Sequence, residues 1–179
     1  NAVTFDEYIK ETERRIEVQN PEDDHNEYYE LGLQRMNRTL KTYKVDEEQL
    51  ETLKSKNFNG KILIITEPWC GDASATVPAV SKFFEGHNEV RIFYRDSDTS
   101  LIDQFLTNGT QSIPKILILN EDFSLKNVWG PRPQYGTELL KKFKENPETY
   151  PREEFYNDLQ VYYAKNKGKD AIQEILELL

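Results

Sequence analysis

The chain of 179 residues (21.1 kDa) is 37% hydrophobic and 31% charged, a size and composition that fit one packed domain rather than a disordered chain. Its net charge of −9 at pH 7 is spread along the sequence and would repel nucleic acid phosphates and anionic lipid, so neither is expected as a partner. The longest aliphatic runs, 62–65 and 116–119, fall far short of the roughly 20 residues that span a bilayer, and no basic-then-apolar leader opens the sequence, so a cytoplasmic protein is the expectation.

Phe5, Tyr8, Ile9, Thr12 and Ile16 recur at three- and four-residue spacings and predict an amphipathic helix over residues 4–18, ended by the turn-rich Asn20-Pro21-Glu22-Asp23-Asp24. A second helix is expected over 27–42, with Tyr28, Leu31, Met36 and Leu40 towards one side. A third follows over 47–55, with Asp46 as its N-cap. The period then changes. Residues 61–66 are continuously apolar and β-branched, as in a strand buried on both faces. Residues 73–84 return to helical spacing through Val77, Val80, Phe83 and Phe84. A strand is expected over 89–95, a short helix near 101–106, a buried strand over 115–120, and a hairpin partner over 123–129. Helices over 137–145, 152–165 and 170–179 complete the chain.

This order predicts an α/β fold: a mixed central sheet whose first three strands are joined by helical crossovers, with helices on both faces. The expected organisation is an N-terminal helical extension (1–57), a core (58–145) and a C-terminal helical extension (146–179). Apolar residues of the extensions, such as Tyr28, Tyr29 and Met36 or the stripe Ile172, Ile175, Leu176 and Leu179, could pack internally or serve a partner.

Cys70 is the only cysteine, which excludes an intramolecular disulfide and a cysteine-rich zinc site; His25 and His87 lack ligand spacing, so no metal and no cofactor are expected. The thiol lies in Glu67-Pro68-Trp69-Cys70-Gly71-Asp72-Ala73, where a buried strand gives way to a helix. Unpaired N–H groups at a helix start favour thiolate over thiol. Strand ends in open α/β sheets also face the crevice where ligands bind.

Trp69-Cys70-Gly71 resembles the start of the W-C-G-P-C motif of the thioredoxin superfamily. Pro78 falls where that family kinks the helix, Ile113-Pro114 matches its cis-proline loop, and Gly130 fits its turn after the last strand. The resemblance covers residues 58–145. The whole chain is also similar to a group of bacterial thioredoxin-like proteins with W-C-G-D motifs. Three departures stand out. Ala73 occupies the place of the second cysteine, so a dithiol cycle cannot run within the chain. Asp72 replaces the usual proline, and its charge opposes a neighbouring thiolate. Ile64 falls where the family keeps a buried acid.

The resemblance implies monothiol exchange or redox chemistry at Cys70, with a second molecule resolving the mixed disulfide. Trp69, Gly71, Ala73, Ile113, Pro114 and Arg132 would contact substrate, and Asp72 would move a proton. A protein disulfide or a low-molecular-weight thiol is the substrate expected. Each residue also has a plainer reading: Cys70 inert, Pro114 fixing a backbone course, Trp69 packing, Trp129 core, Asp72 stabilising a helix start, Arg132 a solvated loop cation, Glu67 solvent-facing, and His25 and His87 surface residues. The alternative function is a non-catalytic binding module on the same fold. Iron–sulfur ligation through a monothiol is a third and weaker expectation.

Overall fold

The computed structural model describes residues 1–179. Helix α1 (Phe5–Val18) opens behind Thr4, whose side chain accepts from the Glu7 N–H at 3.1 Å. Just before it, Val3 pairs with Ile92 and lies against the sheet edge. Helix α2 (Asn26–Thr42) packs on α1, and α3 (Glu47–Ser55) starts at Asp46, whose carboxylate accepts from the Gln49 N–H at 3.0 Å.

The sheet holds β1 (Lys61–Thr66), β2 (Glu89–Tyr94), β3 (Lys115–Leu119) and β4 (Leu125–Trp129) in the order β2-β1-β3-β4. β1 and β3 occupy the centre, which is why both read as unbroken apolar runs. β1 runs parallel to β2, with Ile64 opposite Ile92, and antiparallel to β3, with Ile64 opposite Ile116. β3 and β4 form a hairpin closed by Asp122, which accepts from the Ser124 N–H and hydroxyl. Phe123 sits at φ +69° in that turn, so the last strand begins at Leu125 rather than at residue 123.

β1 and β2 are joined through α4 (Gly71–Phe84), whose Val77, Ala79, Val80, Phe83 and Phe84 are buried in the main core. The connection from β2 to β3 corrects the sequence reading. Instead of a helix near 101–106 there are two short 3-10 turns, Arg95–Ser97 and Ile102–Gln104. Only Ile102 is fully buried in that stretch, and Phe105 leaves helical geometry at φ −135°. Leu101 and Phe105 also pack against the core but stay partly exposed, and no further turn of helix follows Gln104.

Helices α5 (Gln134–Glu145), α6 (Arg152–Asn166) and α7 (Lys169–Glu177) finish the chain. α7 packs on α4 and α3, and its Ile172, Ile175 and Leu176 belong to the main core. α5 and α6 share a second cluster built on Tyr150, Phe155, Leu159 and Tyr163. The expected stripe on α2 is corrected in part, because Met36 is buried as expected but Tyr28 and Leu31 are not. Tyr29, Gly32, Met36 and Thr39 face inward, whereas Tyr28 and Leu31 stay exposed. Gly32 decides this rotation: a β-carbon there would stand 2.5 Å from the Pro68 carbonyl oxygen, so the glycine side of α2 must meet the loop after β1.

Candidate thiol site at the head of helix α4

β1 ends at Thr66, and a short turn, closed by the Cys70 N–H donating to the Glu67 carbonyl at 3.2 Å, delivers Cys70 to the N-cap of α4. Its Sγ lies 3.4 Å from the Ile113 carbonyl oxygen, the direction of an S–H donor, and the residue is only 8% exposed. Burial is the main force on the thiol, and the Asp72 charge adds to it. The Ala73 and Asp72 N–H groups and the Arg132 cation pull the other way. Together they leave the thiol pushed up to about 12, so the helix start does not hold a resting thiolate.

The partner loop is tied in place from several sides. The Ile113–Pro114 peptide is cis, and so is Gly130–Pro131. Gly130 takes φ +119°, and a β-carbon there would stand 2.3 Å from the Pro114 carbonyl oxygen, so only glycine lets the two loops meet. Buried Lys115 donates to Thr107 Oγ1 at 2.6 Å and to the Gly130 carbonyl at 3.1 Å. The Ile113 carbonyl receives the Cys70 thiol, while its N–H has no acceptor within the fold.

Asp72 is not turned to Cys70 as a hydrogen-bond partner. Its carboxylate accepts from Arg132 Nε at 3.3 Å and Nη2 at 2.9 Å, and from the Tyr163 hydroxyl at 2.5 Å. The ion pair is largely buried, with the side chains 12% and 18% exposed. Arg132 is therefore no solvated loop cation. Burial works against its charge, and Asp72 more than offsets this. Burial, then Asp72, raises the Tyr163 phenol far above its ordinary range. One carboxylate thus binds the start of α4 to the loop after β4 and to α6. Removing one member of such a pair costs about 3–5 kcal/mol.

Trp69 lies between two neighbours: the His25 ring stacks on it at 4.2 Å, and the Arg95 guanidinium sits 5.0 Å from its centroid. His25 is thus part of the motif's surroundings rather than a free surface residue, while His87 is exposed. Glu67 is the clearest correction among the polar residues. It is 3% exposed, accepts from the Asp96 N–H at 2.9 Å and pairs with Arg15 at 3.4 Å, and burial raises its carboxyl above the usual range. Trp129 is buried and donates its indole N–H to Glu174.

Cys70, Gly71, Asp72, Ala73, Ile113, Pro114 and Arg132 are brought to one end of the sheet, with Trp69 beside them. Ala73 is buried. Two side chains crowd Gly71: a β-carbon there would stand 3.2 Å from Gln160 Nε2 on α6 and 3.6 Å from Arg35 Nη1 on α2. Tyr163, Gln160 and Arg35 are absent from the sequence reading. Tyr163 reaches Asp72 across 91 positions and carries no local signal of that contact. No cluster of three or more His, Cys, Asp or Glu side chains that could hold a metal ion is present, and no helix is long and apolar enough to cross a membrane.

Two solved structures are similar in fold. One is an HIV epitope-scaffold, with 16% identity, a TM-score of 0.66, and coverage of 99% of this chain and 92% of that one. The other is a protein of unknown function from Pseudomonas aeruginosa, with 17% identity, a TM-score of 0.60, and coverage of 99% and 91%. No curated protein matches the sequence. The sequence model of the family described as thioredoxin matches residues 18–144, most of the chain and the whole of the sheet with its cysteine motif, and the protein belongs to that family.

Proposed function

We propose that the protein carries out monothiol–disulfide exchange at Cys70, with the thiol protonated at rest. The observation that carries this reading is the placement of Sγ at the head of α4, facing the Ile113 carbonyl, next to an Ile113 N–H that no group of the fold uses. A disulfide-bearing segment that pairs with the Ile113 backbone would bring its sulfur to the thiol. Sγ then forms a bond to one sulfur of R–S–S–R′, the S–S bond breaks, and R′–S⁻ leaves with the proton that Sγ gives up. The mixed disulfide Cys70–S–S–R persists, because Ala73 offers no second thiol. A thiol from another molecule releases it, carrying R away as a new disulfide.

The test is exchange with a chromogenic aromatic disulfide. The folded protein is expected to release one aromatic thiolate per chain, to stay modified until an external thiol is added, and to lose the reaction in Cys70→Ser. Release that occurs only in denaturant overturns the reading.

Burial favours a second reading, in which the fold is a non-catalytic binding module and Cys70 is inert packing. That reading requires partner complexes to survive Cys70→Ala.

A further inference from the structure

Lys115 is a buried charge that the thiol chemistry does not use. It opens β3, directly after Pro114, and is only 7% exposed. Its Nζ donates to Thr107 Oγ1 at 2.6 Å and to the Gly130 carbonyl at 3.1 Å, and both acceptors are neutral. No carboxylate offsets its burial, which weakens the ammonium's hold on its proton. Placing an ammonium there carries a desolvation cost that a methionine of similar length would avoid. What the charge supplies, and methionine cannot, is a pair of strong and directed hydrogen bonds.

Those bonds join three separate segments. Thr107 opens a tight turn that ends at Thr110 and is closed by backbone bonds in both directions, at 2.9 and 3.0 Å. Lys115 itself follows the loop whose Ile113 carbonyl faces Cys70 Sγ. Gly130 starts the loop that carries Arg132 two residues later, and its backbone lies close on the same place: a β-carbon there would stand 3.3 Å from Lys115 Cα. Arg132 is held elsewhere by its side chain. Its stem rests on Gly136 of α5, where a β-carbon would stand 3.3 Å from Cδ, and its Nη2 donates to Asp72 at 2.9 Å. The Lys115–Gly130 bond ties down the backbone end from which that side chain reaches.

We propose that Lys115 is a positioning residue: by holding the Gly130 carbonyl against the start of β3, it sets where the Arg132 cation stands relative to Asp72 and Cys70. Arg132 is the one side-chain cation that favours the Cys70 thiolate against burial and the Asp72 charge, so a displaced Arg132 leaves the thiol harder to ionise. The proposal deepens the thiol-exchange reading by naming what regulates its sulfur. It is measured by alkylation, which needs no disulfide substrate.

The experiment is a double-substitution cycle read by the rate at which iodoacetamide alkylates Cys70 at pH 8. Lys115→Met is expected to slow alkylation about threefold, the equivalent of half a pKa unit. In an Arg132→Gln background the same substitution should leave the rate unchanged, because no cation remains to be misplaced. Thr107→Val removes one acceptor at a partly exposed position, and it should slow alkylation by a smaller factor with the same dependence on Arg132. Urea unfolding verifies that each variant is folded, and Thr107→Val decides the matter if Lys115→Met is not. An unchanged or faster rate in the single variants overturns the proposal. Slowing by the same factor in both backgrounds overturns it too, because Lys115 would then act on the sulfur through its own charge. A cycle that behaves as expected, in a protein that exchanges with no disulfide, upholds the role of Lys115 and contradicts the exchange reading. Exchange in a protein whose cycle is additive does the reverse.

Discussion

Asp72 pulls on the molecule in two directions. Its charge disfavours the Cys70 thiolate, and its three hydrogen bonds hold Arg132 and Tyr163. Asp72→Asn removes the first effect and leaves the Arg132 cation facing the thiol. Cys70 alkylation at pH 8 should accelerate severalfold or more, on the scale of about tenfold per pKa unit. Arg132→Gln should slow it, because the carboxylate then acts alone. Either change leaves a buried charge without its partner and should cost about 3–5 kcal/mol in urea unfolding. Tyr163→Phe keeps the ion pair and should cost only about 1–2 kcal/mol. Equal alkylation rates in all three variants would show that Asp72 and Arg132 do not act on the sulfur. The sequence points to Asp72 and Arg132 as residues near the motif but carries no signal of Tyr163, which reaches Asp72 through tertiary packing.

The elements were mostly legible where apolar periodicity was strong. β1 and β3 are legible as unbroken aliphatic runs, and Asp46 marks the start of α3, whereas Thr4 falls inside the expected first helix but caps it. α2 was harder, because Tyr28 with Leu31 and Tyr29 with Met36 form two stripes on adjacent sides. A residue with no side chain selects between them, and hydrophobicity cannot report the 2.5 Å approach at Gly32. The consequence is measurable. Met36→Ala, in the core, should cost about 2–5 kcal/mol, whereas Leu31→Ala should stay within about 0.5 kcal/mol. Similar losses would place the wrong stripe inside. The same contrast applies to α7, where Ile175 is fully buried between α7 and the main core. Ile175→Ala should therefore destabilise as Met36→Ala does, which would mark the C-terminal helix as part of the fold's cooperative unit.

At the scale of the whole molecule, the buried thiol links stability to alkaline pH. Cys70 is raised to about 12 in the folded chain, against about 8.5 unfolded. Between those values the unfolded chain has released a proton that the folded chain keeps, so stability falls as pH rises. Below about 8.5 both states are protonated and the contribution is complete. The urea midpoint should therefore decline from pH 8.5 to 10, and Cys70→Ala should flatten that decline. Above about pH 10 the buried phenols of Tyr8 and Tyr163, also raised by burial, add losses that the substitution does not remove. A decline of the same slope in Cys70→Ala would mean that the thiol ionises alike in both states.

The protonated resting thiol is tested most directly by the rate of Cys70 alkylation in the native protein from pH 6 to 10. A thiol raised to about 12 predicts a rate that climbs about tenfold per pH unit across the whole range, with no plateau. A plateau at or below about pH 8.5, the ordinary thiol value, would contradict it and show that the head of α4 stabilises a thiolate after all.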